Sequence, residues 1–170
     1  MRRIFLYFLT LIMFIGCKKE EPGSGPRIDI YLLKSLTTTV DQSTTPATIS
    51  ITSAILDDTP LVSDQDIKVY IKAISTFVLK KDIQAVIQNY GPDKAFAVTV
   101  DKQPVYYGQF HPFYLSSITF GLATISPQLL NNDELQIDFV TIEGNSFLQQ
   151  LDNRNDSRII NALKATNRLR

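Results

Sequence analysis

The stretch AFAVTVDKQPVYYGQF, residues 95–110, predicts a β-hairpin. Residues 95–100 are dominated by β-branched and aromatic side chains, which favour strands. Residues 101–104 interrupt this run with turn-forming side chains, and residues 105–110 predict the returning strand. Because strands joined by a short turn run antiparallel, this stretch predicts an antiparallel sheet.

Other runs along the chain predict further strands and a few helices. Apolar residues spaced i, i+3, i+4 and i+7 over 83–90 predict an amphipathic helix, and residues 156–165 predict another. A capping-box pattern at Ser63–Asp66 predicts a helical turn over 64–68. The Thr-, Ser- and Pro-rich residues 37–48 predict an irregular loop. Alternating or β-rich runs predict strands at 28–33, 49–56, 69–79, 117–125 and 134–140.

Together these elements predict one α+β domain over residues 27–170. We expect a mainly antiparallel sheet of about six strands with two or three packed helices, because the strands follow one another as hairpins rather than alternating with helices.

The N-terminal segment 1–16 has the composition of a secretory signal peptide. Arg2 and Arg3 precede the run 4–15, in which only Thr10 is polar. This run is shorter than the ~20 apolar residues of a membrane-spanning helix. The small Gly16 follows it, as expected at a signal cleavage site.

Phe14-Ile15-Gly16-Cys17 resembles the lipobox of bacterial lipoproteins. The resemblance implies cleavage between Gly16 and Cys17 and attachment of lipid to the Cys17 thiol, which would anchor the chain to the bacterial envelope without a membrane-spanning helix. We expect the outer membrane, with the domain facing the periplasm or the cell surface. The alternatives are an ordinary secretory signal with a chance cysteine, or a short uncleaved anchor.

Residues 17–26 predict a flexible tether, because a charged, Gly- and Pro-rich segment buries little apolar area. The acidic pair within it resembles the surface-export signal of Bacteroidota lipoproteins, with a solvated linker as the alternative. Residues 154–160 also resemble a segment of uncharacterised Bacteroidota lipoproteins.

A second resemblance covers residues 60–110, about a third of the chain. The segments 60–67, 77–79, 95–101 and 108–110, with a helix in the middle, resemble in order the periplasmic head subdomain of the protein-export subunit SecD. The resemblance implies a head-like α+β fold. Lys102 stands where SecD has glycine, and no run here corresponds to the SecD membrane spans, so a translocation function is not carried over.

Charge and cysteine content argue against several classes of function. The 17 basic and 17 acidic residues balance, and no long basic run is present, which argues against nucleic-acid binding. Cys17 is the only cysteine. If it carries lipid, no thiol remains for a disulfide, a zinc-thiolate site or a cysteine nucleophile. We expect no cofactor and no metal.

Two groups of residues are candidate binding sites. Arg154 and Arg158 lie in a dense polar run that would suit an anionic partner, or would form local Asp–Arg pairs around a helix N-cap. Aromatic residues beside a turn can form a recognition surface, with core packing as the alternative. The main candidate surface consists of Tyr106, Tyr107, Phe110, His111, Phe113 and Tyr114.

Other polar residues have simpler interpretations. His111 is the only histidine, and its place before Pro112 suits a strand end better than catalysis. The acid pairs Asp57-Asp58 and Asp64/Asp66 do not form a calcium-loop pattern, so turn and capping roles explain them better than metal binding.

These observations favour a non-enzymatic, lipid-anchored protein that acts through binding of a protein or ligand in the envelope. One alternative is an envelope enzyme, such as a glycan hydrolase, which would need two carboxylates ~5–10 Å apart in a cleft. Another is an accessory role near the protein-export machinery, which follows only from the SecD resemblance.

Overall fold

The computed structural model describes residues 25–129 and 131–170. Over these residues the chain is α+β, with nine strands in one six-stranded and one three-stranded sheet, so the expected fold class is confirmed. The predicted signal peptide, Cys17 and the tether up to residue 24 lie outside the described residues. None of the described helices is long and apolar enough to cross a membrane.

The strands, in chain order, are β1 Ile28–Asp41, β2 Thr48–Leu56, β3 Ile67–Ile71, β4 Thr76–Leu79, β5 Ala95–Val100, β6 Gln103–Phe110, β7 Ala123–Ile125, β8 Glu134–Gln136 and β9 Asp138–Phe139. The α-helices are α1 Gln84–Ile87, α2 Ser146–Leu151 and α3 Ser157–Ala165. The larger sheet has the order β2-β1-β5-β6-β7-β9 and the smaller one β3-β4-β8. Among the described strands, only β6 and β7 pair in parallel.

The predicted hairpin is present as β5 and β6, with Val100 opposite Gln103. Asp101 and Lys102 form the turn, and both have positive φ, at 50° and 64°. Left-handed backbone at both central positions matches the twist of the flanking strands. The Asp101 N–H donates to the Arg27 carbonyl (2.8 Å) and the Arg27 N–H to Asp101 Oδ1 (2.9 Å), which fixes the start of the domain beside this turn.

The predicted loop over residues 37–48 is shorter than expected: residues 42–47 are irregular, whereas β1 continues to Asp41 and β2 begins at Thr48. Residues 28–32 of β1 pair with β5, whereas residues 33–41 pair with β2. The second half of β1 and all of β2 therefore form a two-stranded arm, residues 33–56. The strand predicted over residues 49–56 is present as β2. The end of β1 was not predicted, because its side chains are exposed and lack the alternation of a half-buried strand.

Several other elements are shorter than predicted. The expected strand over 69–79 is two strands, separated by a 3-10 turn at Lys72–Ile74 and by Ser75 at φ 49°. Of the strand over 117–125 only β7 forms, and residues 134–140 divide into β8 and β9. The helix over 83–90 is reduced to α1, and the turn over 64–68 is a 3-10 helix at Asp64–Asp66.

The core lies between one face of the larger sheet, the smaller sheet and α3. It contains Phe96 and Phe110 from the larger sheet and Tyr70 and Phe77 from the smaller one. The predicted C-terminal helix is confirmed: Asp156 caps α3 by accepting a hydrogen bond from the Arg158 N–H. Burial of a large apolar side chain stabilises the fold by about 1.5–3 kcal/mol, so these contacts hold both sheets and α3 together.

Candidate binding site

The six candidate residues at 106–114 do not form one surface. Phe110 is 0% exposed and lies in the core, with its ring 5.1 Å from that of Tyr90 and 5.7 Å from that of Phe96. Tyr106 is also in the core. The His111 N–H donates to the Ile125 carbonyl (2.8 Å), so His111 marks the end of β6, as its sequence context suggested. Tyr107, on the opposite face of β6 from Tyr106, is half-buried.

The exposed part of the aromatic stretch lies in the loop between β6 and β7, residues 111–122, here called the aromatic loop. Phe113 is 60% exposed and Tyr114 is 65% exposed, and their ring centroids are 6.0 Å apart in an edge-on arrangement. Ile118, in the same loop, is 65% exposed. Exposed aromatic side chains of this kind are common anchors of protein interfaces.

A cavity of about 200 Å³ lies between β2 of the arm and β6, and we call it the seam cavity. One wall comes from β2 and the facing wall from β6, and the segment leading into β7 closes one side. The residues that line it are Ser50, Ile51, Val105, Tyr106, Tyr107, Gly121, Leu122, Ala123, Phe139, Leu151, Asn153 and Arg154. The structure thus brings Tyr106 and Tyr107 together with Arg154. In the sequence, the tyrosines and the arginine belong to two separate candidate sites.

The arm is docked by contacts near its tip. The Ile49 N–H donates to the Phe120 carbonyl (2.9 Å), and the Asn145 side-chain amide donates to the Thr45 carbonyl (3.2 Å). Gly121 permits this approach: its φ is +86°, and a Cβ there would lie 2.8 Å from the Ile49 carbonyl oxygen. The cavity therefore depends on a glycine at this position.

Arg154 reaches the seam cavity but its charge is already paired. It forms two hydrogen bonds with Asp152 (2.8 and 2.7 Å) and donates to the Ile137 carbonyl (3.0 Å). Burial acts to raise the pKa of Asp152, yet the bonds from Arg154 outweigh it and hold that pKa below its usual value. Arg158 pairs with Asp156 (2.9 Å) and is not part of the cavity lining.

The Tyr106 hydroxyl is buried and has no hydrogen-bond partner among the described residues. Burial raises the pKa of Tyr106 well above its ordinary value of 10.0, because the phenolate would be desolvated. An unpaired buried hydroxyl costs about 1–3 kcal/mol. The neighbouring Tyr70 is satisfied, since its hydroxyl lies 3.1 Å from the Arg154 carbonyl oxygen.

The acidic pairs serve the fold. Asp64 Oδ1 accepts from the Ile28 N–H (2.9 Å) and from Arg168 Nη2 (2.6 Å). Asp66 accepts from the backbone N–H of Ser63 (2.9 Å), as the capping-box pattern predicted, and from Lys81 (2.9 Å). Within the described residues no group of His, Cys, Asp and Glu could hold a metal ion.

Carboxylates for glycan hydrolysis are also not found at the seam cavity, because no acidic residue belongs to its described lining. A second depression, of about 450 Å³, contains Asp29, Asp58 and Asp101. Each is engaged: Asp29 accepts from the Asp64 N–H (2.8 Å), Asp101 from the Arg27 N–H, and Asp58 pairs with Lys34 (2.6 Å).

No protein-family model matches this sequence, and neither a curated protein nor a solved structure is significantly similar to it. The lipobox and SecD resemblances therefore stay predictions.

Proposed function

We propose that this chain is a lipid-anchored binding protein of a bacterial envelope, which contacts its partner through the aromatic loop and the seam cavity. Cys17 carries the anchor in this proposal, and the domain performs no catalysis. Protein or ligand contact at the exposed aromatic side chains supplies the function.

Arg27, which follows the predicted tether, and the aromatic loop lie at opposite ends of β6, and this placement supports the proposal. The chain enters the sheet at Arg27, beside the Asp101 turn and the start of β6. The aromatic loop follows Phe110 at the other end of that strand. A strand of this length extends over about 25 Å, at roughly 3.3 Å for each residue. A domain tethered through the residues before Arg27 would present Phe113 and Tyr114 away from the bilayer.

Site-specific photo-crosslinking tests the binding role. A photoreactive phenylalanine analogue replaces Tyr114 in the full-length protein in its bacterial envelope, and the same analogue at exposed Gln103 serves as the control near the anchored end. We expect reproducible adducts from position 114 and none from position 103. Equal labelling at both positions, or no adduct at 114, would contradict the proposal.

Metabolic labelling with a fatty acid tests the anchor separately. Wild-type protein should incorporate the label, and Cys17→Ser should not. Uptake of label by Cys17→Ser would show that the lipid is not on this thiol.

A further inference from the structure

The outer edge of the larger sheet is formed by β2, and most of this strand lacks the features that protect an edge. β2 is the last strand on its side of the sheet, and its sequence TISITSAIL contains neither a charge nor a proline. Edge strands are normally protected by such residues, by bulges or by a covering segment, because their unpaired backbone groups bind other strands. Here the register with β1 shifts once within β2, at Thr52, and the only described backbone bond on the outer side is the one from Ile49 to Phe120.

The direction of the Ile49 bond shows which backbone groups of β2 face outward. Residues of an antiparallel strand point their N–H and C=O groups alternately toward and away from the paired strand. Since the Ile49 N–H points away from β1, the N–H and C=O of Ile51 do so as well. Among the described residues neither group of Ile51 has a hydrogen-bond partner outside the ladder, and Ile51 lines the seam cavity.

We infer that β2 binds an extended segment of another protein by strand addition, with one apolar side chain of that segment entering the seam cavity. This inference rests on the proposed binding function and names the partner as an uncharged, extended polypeptide. In strand addition, main-chain hydrogen bonds supply affinity and a neighbouring pocket supplies specificity.

The seam cavity has the volume for one apolar side chain, and its lining carries no unpaired charge. Its volume is about 200 Å³. An apolar protein cavity of about 150 Å³ already accommodates benzene. Ile51, Leu122 and Phe139 contribute apolar lining, while Ser50 and Asn153 contribute uncharged polar groups. The one charged lining residue, Arg154, is neutralised by Asp152. An uncharged segment with an aromatic or large aliphatic side chain complements such a site, whereas a charged side chain would be desolvated without a partner.

A second copy of this chain fits the edge less well than a different protein. Two-fold antiparallel pairing of β2 with itself would centre on Thr52, the middle residue of the strand. The register shift at Thr52 would then face its own copy and interrupt both ladders at the symmetry axis.

The test uses a displayed library of random twelve-residue peptides, selected on the full-length protein in detergent. We expect enriched peptides to be uncharged, with one constant apolar position, and to shift the NMR signals of Ile51 and Tyr107. Methylation of alternate backbone nitrogens in an enriched peptide should reduce its affinity at least ~10-fold, since it removes about 1.4 kcal/mol or more of main-chain bonding.

Three variants locate the site. Ile51→Pro removes an outward N–H, which an edge strand tolerates, and should abolish binding while the fold is retained. Ile51→Val is the matched control that keeps the N–H and should bind like wild type. Ser50→Phe, at an exposed lining position, should fill the cavity and also abolish binding.

Each other result overturns the inference. Loss of the folded arm in Ile51→Pro would show that this N–H faces β1. Equal affinity of the methylated peptide would exclude strand addition, and concentration-dependent dimers that Ile51→Pro abolishes would identify a second copy as the occupant. If the library yields no peptide that requires Ile51, strand addition is wrong, while adducts at position 114 would leave the broader binding function standing.

Discussion

The main-chain N–H of Ile49 donates to the carbonyl oxygen of Phe120 across 2.9 Å, and this bond joins β2 to the loop that leads into β7. The bond joins parts of the chain that are not neighbours in the larger sheet, since β1, β5 and β6 separate β2 from β7. The bond therefore holds the arm against the aromatic loop, and the seam cavity lies beside this contact.

Gly121→Ala should destabilise the protein more than Gly144→Ala. Both glycines have positive φ, at +86° and +77°. Both variants therefore bear the strain of a left-handed alanine, which costs about 1–2 kcal/mol. Only at Gly121 does the new Cβ meet backbone, that of Ile49. We expect a further loss of about 1–3 kcal/mol in the free energy of unfolding, measured by urea denaturation. Equal losses in the two variants would show that arm docking contributes no stability.

Asp152→Asn should lower the free energy of unfolding at neutral pH. The variant should also lose less stability than the wild type when the pH is lowered. The folded-state pKa of Asp152 lies below its ordinary value. In the unfolded chain that pKa is ~3.9, so the carboxylate stabilises the fold above this pH and loses the effect as pH falls through the folded pKa. We expect a loss of about 1–3 kcal/mol at pH 7 and a shallower decline below about pH 4.

The pH dependence of Asp152→Asn should be reduced rather than abolished, because other carboxyl groups, among them Asp66 and Asp156, contribute to it. Hydrogen bonds outweigh burial at Asp66, and bonds from Arg158 act at Asp156, so the pKa of each is also lowered. Asp133→Asn is the control, since the pair of Asp133 with Lys68 is half exposed. Such a pair contributes about 0–1 kcal/mol. Denaturation midpoints measured between pH 3 and 7 distinguish the variants. An unchanged acid slope in Asp152→Asn would contradict the role given to the Arg154 pair.

Arg168→Met should destabilise the protein by about 1–3 kcal/mol. Arg168 donates to the Asp64 carboxylate (2.6 Å) and to the Asp64 carbonyl (2.7 Å), and the paired side chains are mostly buried. Arg158→Met removes a more exposed arginine from its pair with Asp156. That change should cost no more than about 1 kcal/mol. Equal free energies of unfolding for the two variants would show that the Arg168–Asp64 pair contributes no more than the exposed pair.

Phe113→Ala and Tyr114→Ala should leave stability nearly unchanged, because both rings are mostly in solvent. Surface changes of this kind usually stay within about 0.5 kcal/mol. Phe110→Ala, by contrast, empties a fully buried site in the same stretch of chain. Its expected cost is about 3–5 kcal/mol. Thermal unfolding measures this contrast. A large loss of stability in Phe113→Ala would place that ring in the fold rather than on a recognition surface.

Sequence predicted the elements that have one buried face. The hairpin of β5 and β6 and the helix α3 follow directly from residue periodicity and turn or capping residues. In the arm, β2 was predicted over residues 49–56, but the end of β1 over residues 37–41 was not, because its side chains are exposed and its Thr-rich sequence is like that of a loop. The break between β3 and β4 was missed because Ser75 adopts a left-handed backbone that serine rarely takes.

The candidate site was predictable only in parts. Tyr107 and Arg154 were both selected from the sequence, but they lie far apart along the chain and only the packing of the segment after α2 brings them to one cavity. Ser50 and Ile51 carried no functional signal in the sequence, since their role depends on arm docking. Phe113 and Tyr114 differ from Phe110 in burial, which local sequence does not determine.

The two parts of β1 pair with different strands, and we expect their backbone amide hydrogens to exchange with solvent at different rates. Residues 28–32 pair with β5 on one side and, through Ile30, with Val62 on the other, so their amide hydrogens should exchange with solvent only when the whole domain unfolds. Residues 33–41 depend on the arm and should exchange through a smaller, local opening. The step in protection near Leu33 would mark, within a single strand, the boundary between two cooperative units of the protein.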